Sequence, residues 1–181
     1  MKLRFVILPP TRLAKYTGKL ALNYASRFPV VYAVDNKKFQ PHITLFDVEI
    51  SIVDFKTVLT KAKRLFKDIR APKVIISGPW IYKPHQVLGV DVKADKNYSR
   101  FRESLKKSFG DAAIKGKTAS FAHITLNKFQ NLDDLISCSK TMRAKIFKFR
   151  PTMLGIGVTD KYGQFEKRGK KHRIIQKCKL K

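Results

Sequence analysis

Two kinds of apolar spacing alternate along this chain. Residues 2–8 are rich in β-branched and aromatic side chains and stop at Pro9-Pro10, which predicts a strand. Leu13, Tyr16, Leu20 and Tyr24 then recur at helical spacing, with Thr11 placed to cap the helix and Pro29 to end it. Residues 30–34 read as a second strand, Asp35-Asn36-Lys37-Lys38 as a turn, and His42 to Phe46, after Pro41, as a third strand. Ile52, Phe55, Val58, Leu59, Ala62, Leu65 and Phe66 outline an amphipathic helix.

The second half repeats the rhythm. Residues 73–82 and 87–92 predict paired strands joined through Pro84-His85-Gln86. Tyr98, Phe101, Leu105 and Phe109 predict a helix that stops at Gly110, and residues 119–126 predict a strand. Asn131-Leu132-Asp133-Asp134 starts a helix that runs towards Lys145. Residues 146–149 and 153–158 are strand-like, and Tyr162-Gly163 marks a turn. No Gly- or Ser-rich linker separates the halves, so the class is mixed α+β with an approximate internal duplication.

Length agrees with one domain, since 181 residues bury a sizeable core. No run approaches the ~18 apolar residues of a membrane span. Residues 5–8 are too short for a signal-peptide core, so a cytoplasmic protein without a membrane role is expected. Cys138 and Cys178 form no CxxC motif and no disulfide framework, although one bridge between them remains open.

Charge changes the picture more. Thirty-nine basic against 13 acidic residues give a net +26, which attracts polyanions such as RNA, DNA or an anionic membrane face. Both halves are basic, and the last 21 residues hold nine basic side chains and one acidic one, Glu166. Ile174, Ile175, Cys178 and Leu180 predict a strand within that basic segment.

The duplication has one sharp signature. His42-Ile43-Thr44-Leu45 recurs as His123-Ile124-Thr125-Leu126, and these motifs hold two of the four histidines in the chain. On a strand, positions i and i+2 share a face. Each motif therefore presents an imidazole and a hydroxyl on one side and two apolar anchors on the other. Two imidazoles at one cleft suit phosphoryl chemistry: one removes a proton and the other donates one, near neutral pH. Threonine hydroxyls can hold the non-bridging oxygens where charge gathers.

The paired motifs resemble those of the 2H phosphoesterase superfamily, which includes the 2′-5′ RNA ligase (LigT-like) proteins and eukaryotic cyclic phosphodiesterases. Motif separation, length and α+β rhythm extend the resemblance over nearly the whole chain. It implies a single bilobal domain over residues 1–181, with motif 42–45 in one half, motif 123–126 in the other and a basic C-terminal segment at 161–181. Two antiparallel sheets would face a central cleft, with helices outside. His42, Thr44, His123 and Thr125 would be the catalytic set, with His123 as base and His42 as acid. Lys128, five positions after His123, would contact the substrate. Phe46 or Tyr32 would supply the family's aromatic contact, although Asp47 stands where that aromatic residue is expected.

The implied activity is opening of an RNA 2′,3′-cyclic phosphate to a 2′-phosphate, by a monomer and without metal or cofactor. Ligation or cleavage of 2′-5′ linkages in the same cleft, with tRNA among the substrates, is the alternative. A non-catalytic RNA-binding protein on the same fold is another. His85 is expected in a loop and His172 in the basic segment. Trp80 and Tyr82, at i and i+2 on a strand, suit either core packing or base stacking. No P-loop, dinucleotide fingerprint or nucleophile elbow occurs, and no carboxylate or thiolate pair joins the histidines into a recognisable zinc set.

Overall fold

The computed structural model describes residues 1–93, 95–113, 122–168 and 171–180. Its elements run β1 (Lys2–Ile7), α1 (Thr11–Ala25), β2 (Val30–Ala33), β3 (Ile43–Glu49), α2 (Phe55–Lys67), β4 (Val74–Tyr82) and β5 (Val87–Lys93). They continue with α3 (Lys96–Lys107), β6 (His123–Phe129), α4 (Leu132–Thr141), β7 (Phe147–Phe149), β8 (Met153–Gly157), β9 (Lys167–Arg168), β10 (Lys171–His172) and β11 (Ile174–Lys179). The periodicity located these elements to within a few residues, apart from the two-residue strands β9 and β10, which it did not predict. The start of the strand predicted over residues 119–126 lies outside the described residues. Thr11 does not cap α1: it is the first helical residue, behind Pro10, and no side chain closes that end. Asn131 does cap α4, accepting from the Asp134 amide at 2.9 Å.

The described ladders are antiparallel. Apart from the short β9–β10 pair, they build one curled sheet of nine strands in the order β11-β8-β1-β3-β6-β5-β4-β7, with β2 also on β6. The two sheets expected from the resemblance are two wings of this sheet. They meet where Ile43 of β3 pairs with Ile124 of β6. Each wing borrows from the other half of the sequence. Strand β2 and helix α1 pack on β6, whereas α3 touches β3, and β8 and β11 extend the wing of β1.

The helices cover the convex side, because the apolar face of each strand points there. Phe5, Phe46, Phe66 and Phe109 form the aromatic centre under α2 and α3. Phe5 and Phe46 stack at 4.7 Å between centroids, and Phe109 tilts onto Phe5 at 4.8 Å. Such pairs add about 1 kcal/mol each beyond their buried area. Ile124, Leu126, Phe129, Leu135 and Cys138 continue the same core under α1 and α4. Both cysteines are free and buried, and burial pushes the Cys138 thiol up to about 11. The basic C-terminal segment is built into the fold through β11, which pairs with β8. Among the described residues no helix is long and apolar enough to cross a membrane.

Candidate active site

Each repeated tetrapeptide spends its isoleucine on the core. Ile43 and Ile124 are fully buried and paired with each other, which turns His42, Thr44, His123 and Thr125 to the opposite, concave side. Antiparallel pairing about this point sets His42 level with Thr125 and His123 level with Thr44. The four groups converge on one seam, and the imidazoles are close enough that His123 disfavours a charge on His42.

Both motif strands bulge at the same place. Val6 pairs with Thr44 and Phe5 with Phe46, leaving Leu45 extra. Gly89 pairs with Thr125 and Leu88 with Asn127, leaving Leu126 extra. One extra residue reverses the alternation. Phe46 therefore enters the core, fully buried on Phe5, and is not available to a ligand. Asp47 and Lys128, the next residues on each strand, return to the concave side.

The two positions carry opposite charges. The Asp47 carboxylate accepts from Arg4 Nε at 2.8 Å and Arg4 Nη2 at 3.0 Å, and Lys2 Nζ lies 2.9 Å away. Burial pushes that carboxyl up, but the Arg4 and Lys2 contacts outweigh it and hold it below the ordinary range. Arg4 Nη1 also donates to the Gly163 carbonyl at 2.7 Å, tying the loop before β9 to β1. Lys128 Nζ sits 5.1 Å above the ring of Tyr162. Tyr162 in turn leans on Tyr32 at 5.3 Å, and Tyr32 is the register partner of Lys128. Tyr32 is mostly covered, and its hydroxyl accepts from Gln164 Nε2 at 3.4 Å.

The two histidines occupy different surroundings. His42 is 5% exposed and edge-on to Phe165 at 4.8 Å. Its Nδ1 lies 3.0 Å from the Gln40 carbonyl, which only accepts, so Nδ1 carries the hydrogen and Nε2 keeps a lone pair. Burial drives its pKa down to about 3, with Arg4 and His123 adding to the effect and the Gln40 bond opposing it. His123 is half-buried and lies flat against Trp80. Tyr82 stacks beyond Trp80 at 6.1 Å, and exposed His85 tilts onto Tyr82 at 5.1 Å.

Sequence reasoning thus named the four motif groups and Lys128, and the fold brings them to one side of the sheet. It missed Arg4, Trp80 as a neighbour of His123, and the Gln40 carbonyl that orients His42. Among the described residues no three His, Cys, Asp or Glu side chains gather as a metal would require.

Neither a family model nor a curated protein matches this sequence. Solved structures do match its fold. TT0787 of Thermus thermophilus superposes with a TM-score of 0.68 at 12% identity, covering 99% of this chain and 98% of that one. Escherichia coli LigT complexed with 3′-AMP gives 0.63 at 13% identity, over 99% and 97% of the two chains. The PDE domain of MHV ns2 gives 0.53 at 11% identity, over 85% and 98%. The fold of this protein is the LigT-like fold these chains share.

Proposed function

We propose that this protein is a phosphoesterase that opens 2′,3′-cyclic phosphates at RNA ends, leaving a 2′-phosphate. The observation that carries the reading is the pairing of two His-x-Thr motifs about Ile43 and Ile124, which puts two imidazoles and two hydroxyls on one concave seam. In the proposed reaction His42 Nε2 takes a proton from water as the water oxygen attacks phosphorus. The bond from phosphorus to the 3′ oxygen breaks, and His123 delivers a proton to that oxygen. Thr44 and Thr125 donate to the non-bridging oxygens, where the added charge resides in the transition state.

This exchanges the roles that the resemblance implies. The support is physical: a buried imidazole already hydrogen-bonded through Nδ1 to a carbonyl stays neutral and offers Nε2 as a base. Lys128 and the general +26 charge would hold the RNA backbone. One chain supplies both motifs, so a monomer suffices, and two buried free thiols fit the reducing cytoplasm.

A second reading uses the same groups to form a 2′-5′ linkage: a 5′ hydroxyl in place of water attacks the cyclic phosphate, the bond to the 3′ oxygen breaks, and that oxygen takes the proton. The LigT likeness is compatible with both readings, since that protein holds the nucleotide 3′-AMP in one structure. The deciding assay is turnover of a short RNA ending in a 2′,3′-cyclic phosphate, with EDTA present, for wild type, His42→Ala and His123→Ala. Conversion to the 2′-phosphate by wild type, reduced about 10²–10⁴-fold in each folded variant, is the expected result. Binding without conversion of either linkage would leave a basic RNA-binding protein instead.

A further inference from the structure

Trp80, the one tryptophan of the chain, belongs to β4, which is separated from the motif strand β6 by β5. Its indole nevertheless reaches His123. The rings are parallel to 3° with centroids 3.6 Å apart. Gly89 of β5 makes this contact possible, as the register partner of Trp80 on one side and of Thr125 on the other. A Cβ at Gly89 would stand 3.2 Å from Trp80 Cε3 and 2.6 Å from the Ile124 carbonyl oxygen. Only a residue without a side chain lets the indole lie flat across the strand.

We propose that Trp80 is a positioning residue for His123: its indole face fixes the plane of the imidazole and favours the protonated ring, making His123 the proton donor. The donor role rests on the reaction proposed above, whereas the effect on protonation does not. An aromatic face attracts a cation lying over it, and a ring held flat keeps the same edge turned to the seam. Tyr82 stacks on the outer part of the indole and extends the support.

The other titratable and charged groups that face His123, among the described residues, have opposing effects. Asp91 of β5 is its register partner, and a carboxylate there would favour the imidazolium; burial pushes that carboxyl above its ordinary range. Arg4 of β1 and Lys128 farther along β6 are positive charges on the same side of the sheet and oppose the imidazolium, whereas His42 beside β3 is kept neutral by burial. Tyr82 of β4 is a phenol beyond the indole.

The test is a titration of the free protein, read from the His123 ring proton in NMR and assigned with His123→Gln. Trp80→Leu should lower the His123 midpoint by about half to one pH unit, and Trp80→Phe by less. Asp91→Asn should lower it independently, so the double variant shows the sum of the two shifts. The fluorescence of Trp80 in wild type should fall as His123 gains its proton, and that transition should vanish in His123→Gln. An unchanged or raised midpoint in folded Trp80→Leu overturns the proposal. Should that variant unfold, the same outcome in Trp80→Phe overturns it. If cyclic phosphate is turned over, the alkaline limb of kcat/KM moves by the same amount, with kcat reduced and KM little changed. If no RNA end is turned over, the reaction fails while the titration still decides the role of Trp80.

Discussion

Ile43 and Ile124 face each other across the seam where the two wings of the sheet join, and each is fully buried. An approximate two-fold axis through this pair explains why both motifs present the same groups to the same place. The pair is thus both a core contact and the ruler of the site. Truncating either residue to alanine should cost about 3 kcal/mol, against about 1 kcal/mol for valine. Urea unfolding with unchanged m-values measures this. Turnover of the folded alanine variants should fall further than their unfolded fraction explains.

Burial of His42 makes the fold acid-sensitive. Its pKa is about 3 in the folded chain, below the ordinary imidazole value of ~6.5 in the unfolded one. The unfolded chain therefore binds the extra proton between these limits. The resulting stability is fully present above ~6.5 and is lost as pH falls towards about 3. At pH 5 the loss is about 2 kcal/mol from this group alone. Urea midpoints at pH 7 and pH 5 should show it in wild type, and the difference should shrink in His42→Gln.

In the proposed reaction the same asymmetry would set the pH dependence of the rate. In the free protein His42 stays neutral well below neutral pH, so kcat/KM should lack an acid limb near 6. Its fall on the alkaline side should follow loss of the His123 proton. A symmetric bell with both limbs near 6–7 would contradict the base role of His42.

Asp47→Asn should uncouple Arg4 and Lys2 and release the loop that Arg4 holds through Gly163. The cost should be roughly 3 kcal/mol, because a partly buried guanidinium loses its counter-charge. Since the folded carboxyl is held low, that contribution is present above the ordinary carboxylate range and fades as pH falls through the depressed value. Wild type and variant should therefore converge in stability in strong acid. Phe46→Leu, by contrast, should lower the melting temperature and leave KM for an RNA substrate unchanged, since that side chain belongs to the core.

RNA affinity should drop steeply with salt. A contact to six phosphates gives a slope of roughly −4 in log–log form for a single strand. Lys128→Ala should flatten that slope by about 0.7.

Element order and the motif groups were legible because a strand's alternation and a helix's spacing depend on local side chains. The face of Phe46 was not. Strict alternation from His42 and Thr44 places Phe46 beside them, and the bulge at Leu45 reverses the parity. The matching bulge at Leu126 brings Lys128 to the concave side, where unbroken alternation would hide it. Trp80 carried a different obstacle. Its contact with His123 spans two ladders and depends on an absent side chain at Gly89, a relationship visible only once β4, β5 and β6 are in register. The orientation of His42 rests on the backbone carbonyl of Gln40, and side-chain pattern does not reveal it.

The exchange of strands between the wings has a consequence for how the chain acquires its shape. A polypeptide ending near Pro84 would contain β2 without β6, and β1 without β8. The complementary fragment would hold β6 without β2, and β8 without β1. Each piece keeps a ladder of its own, β1–β3 in one and β5–β6 and β8–β11 in the other, but neither can complete its sheet, so repetition in the sequence does not create autonomous folding units. The β1–β8 and β2–β6 ladders must await residues far apart in the chain, which slows folding relative to a protein of local contacts. Two fragments cut in the turn between β4 and β5 should each remain unstructured and regain order only on mixing.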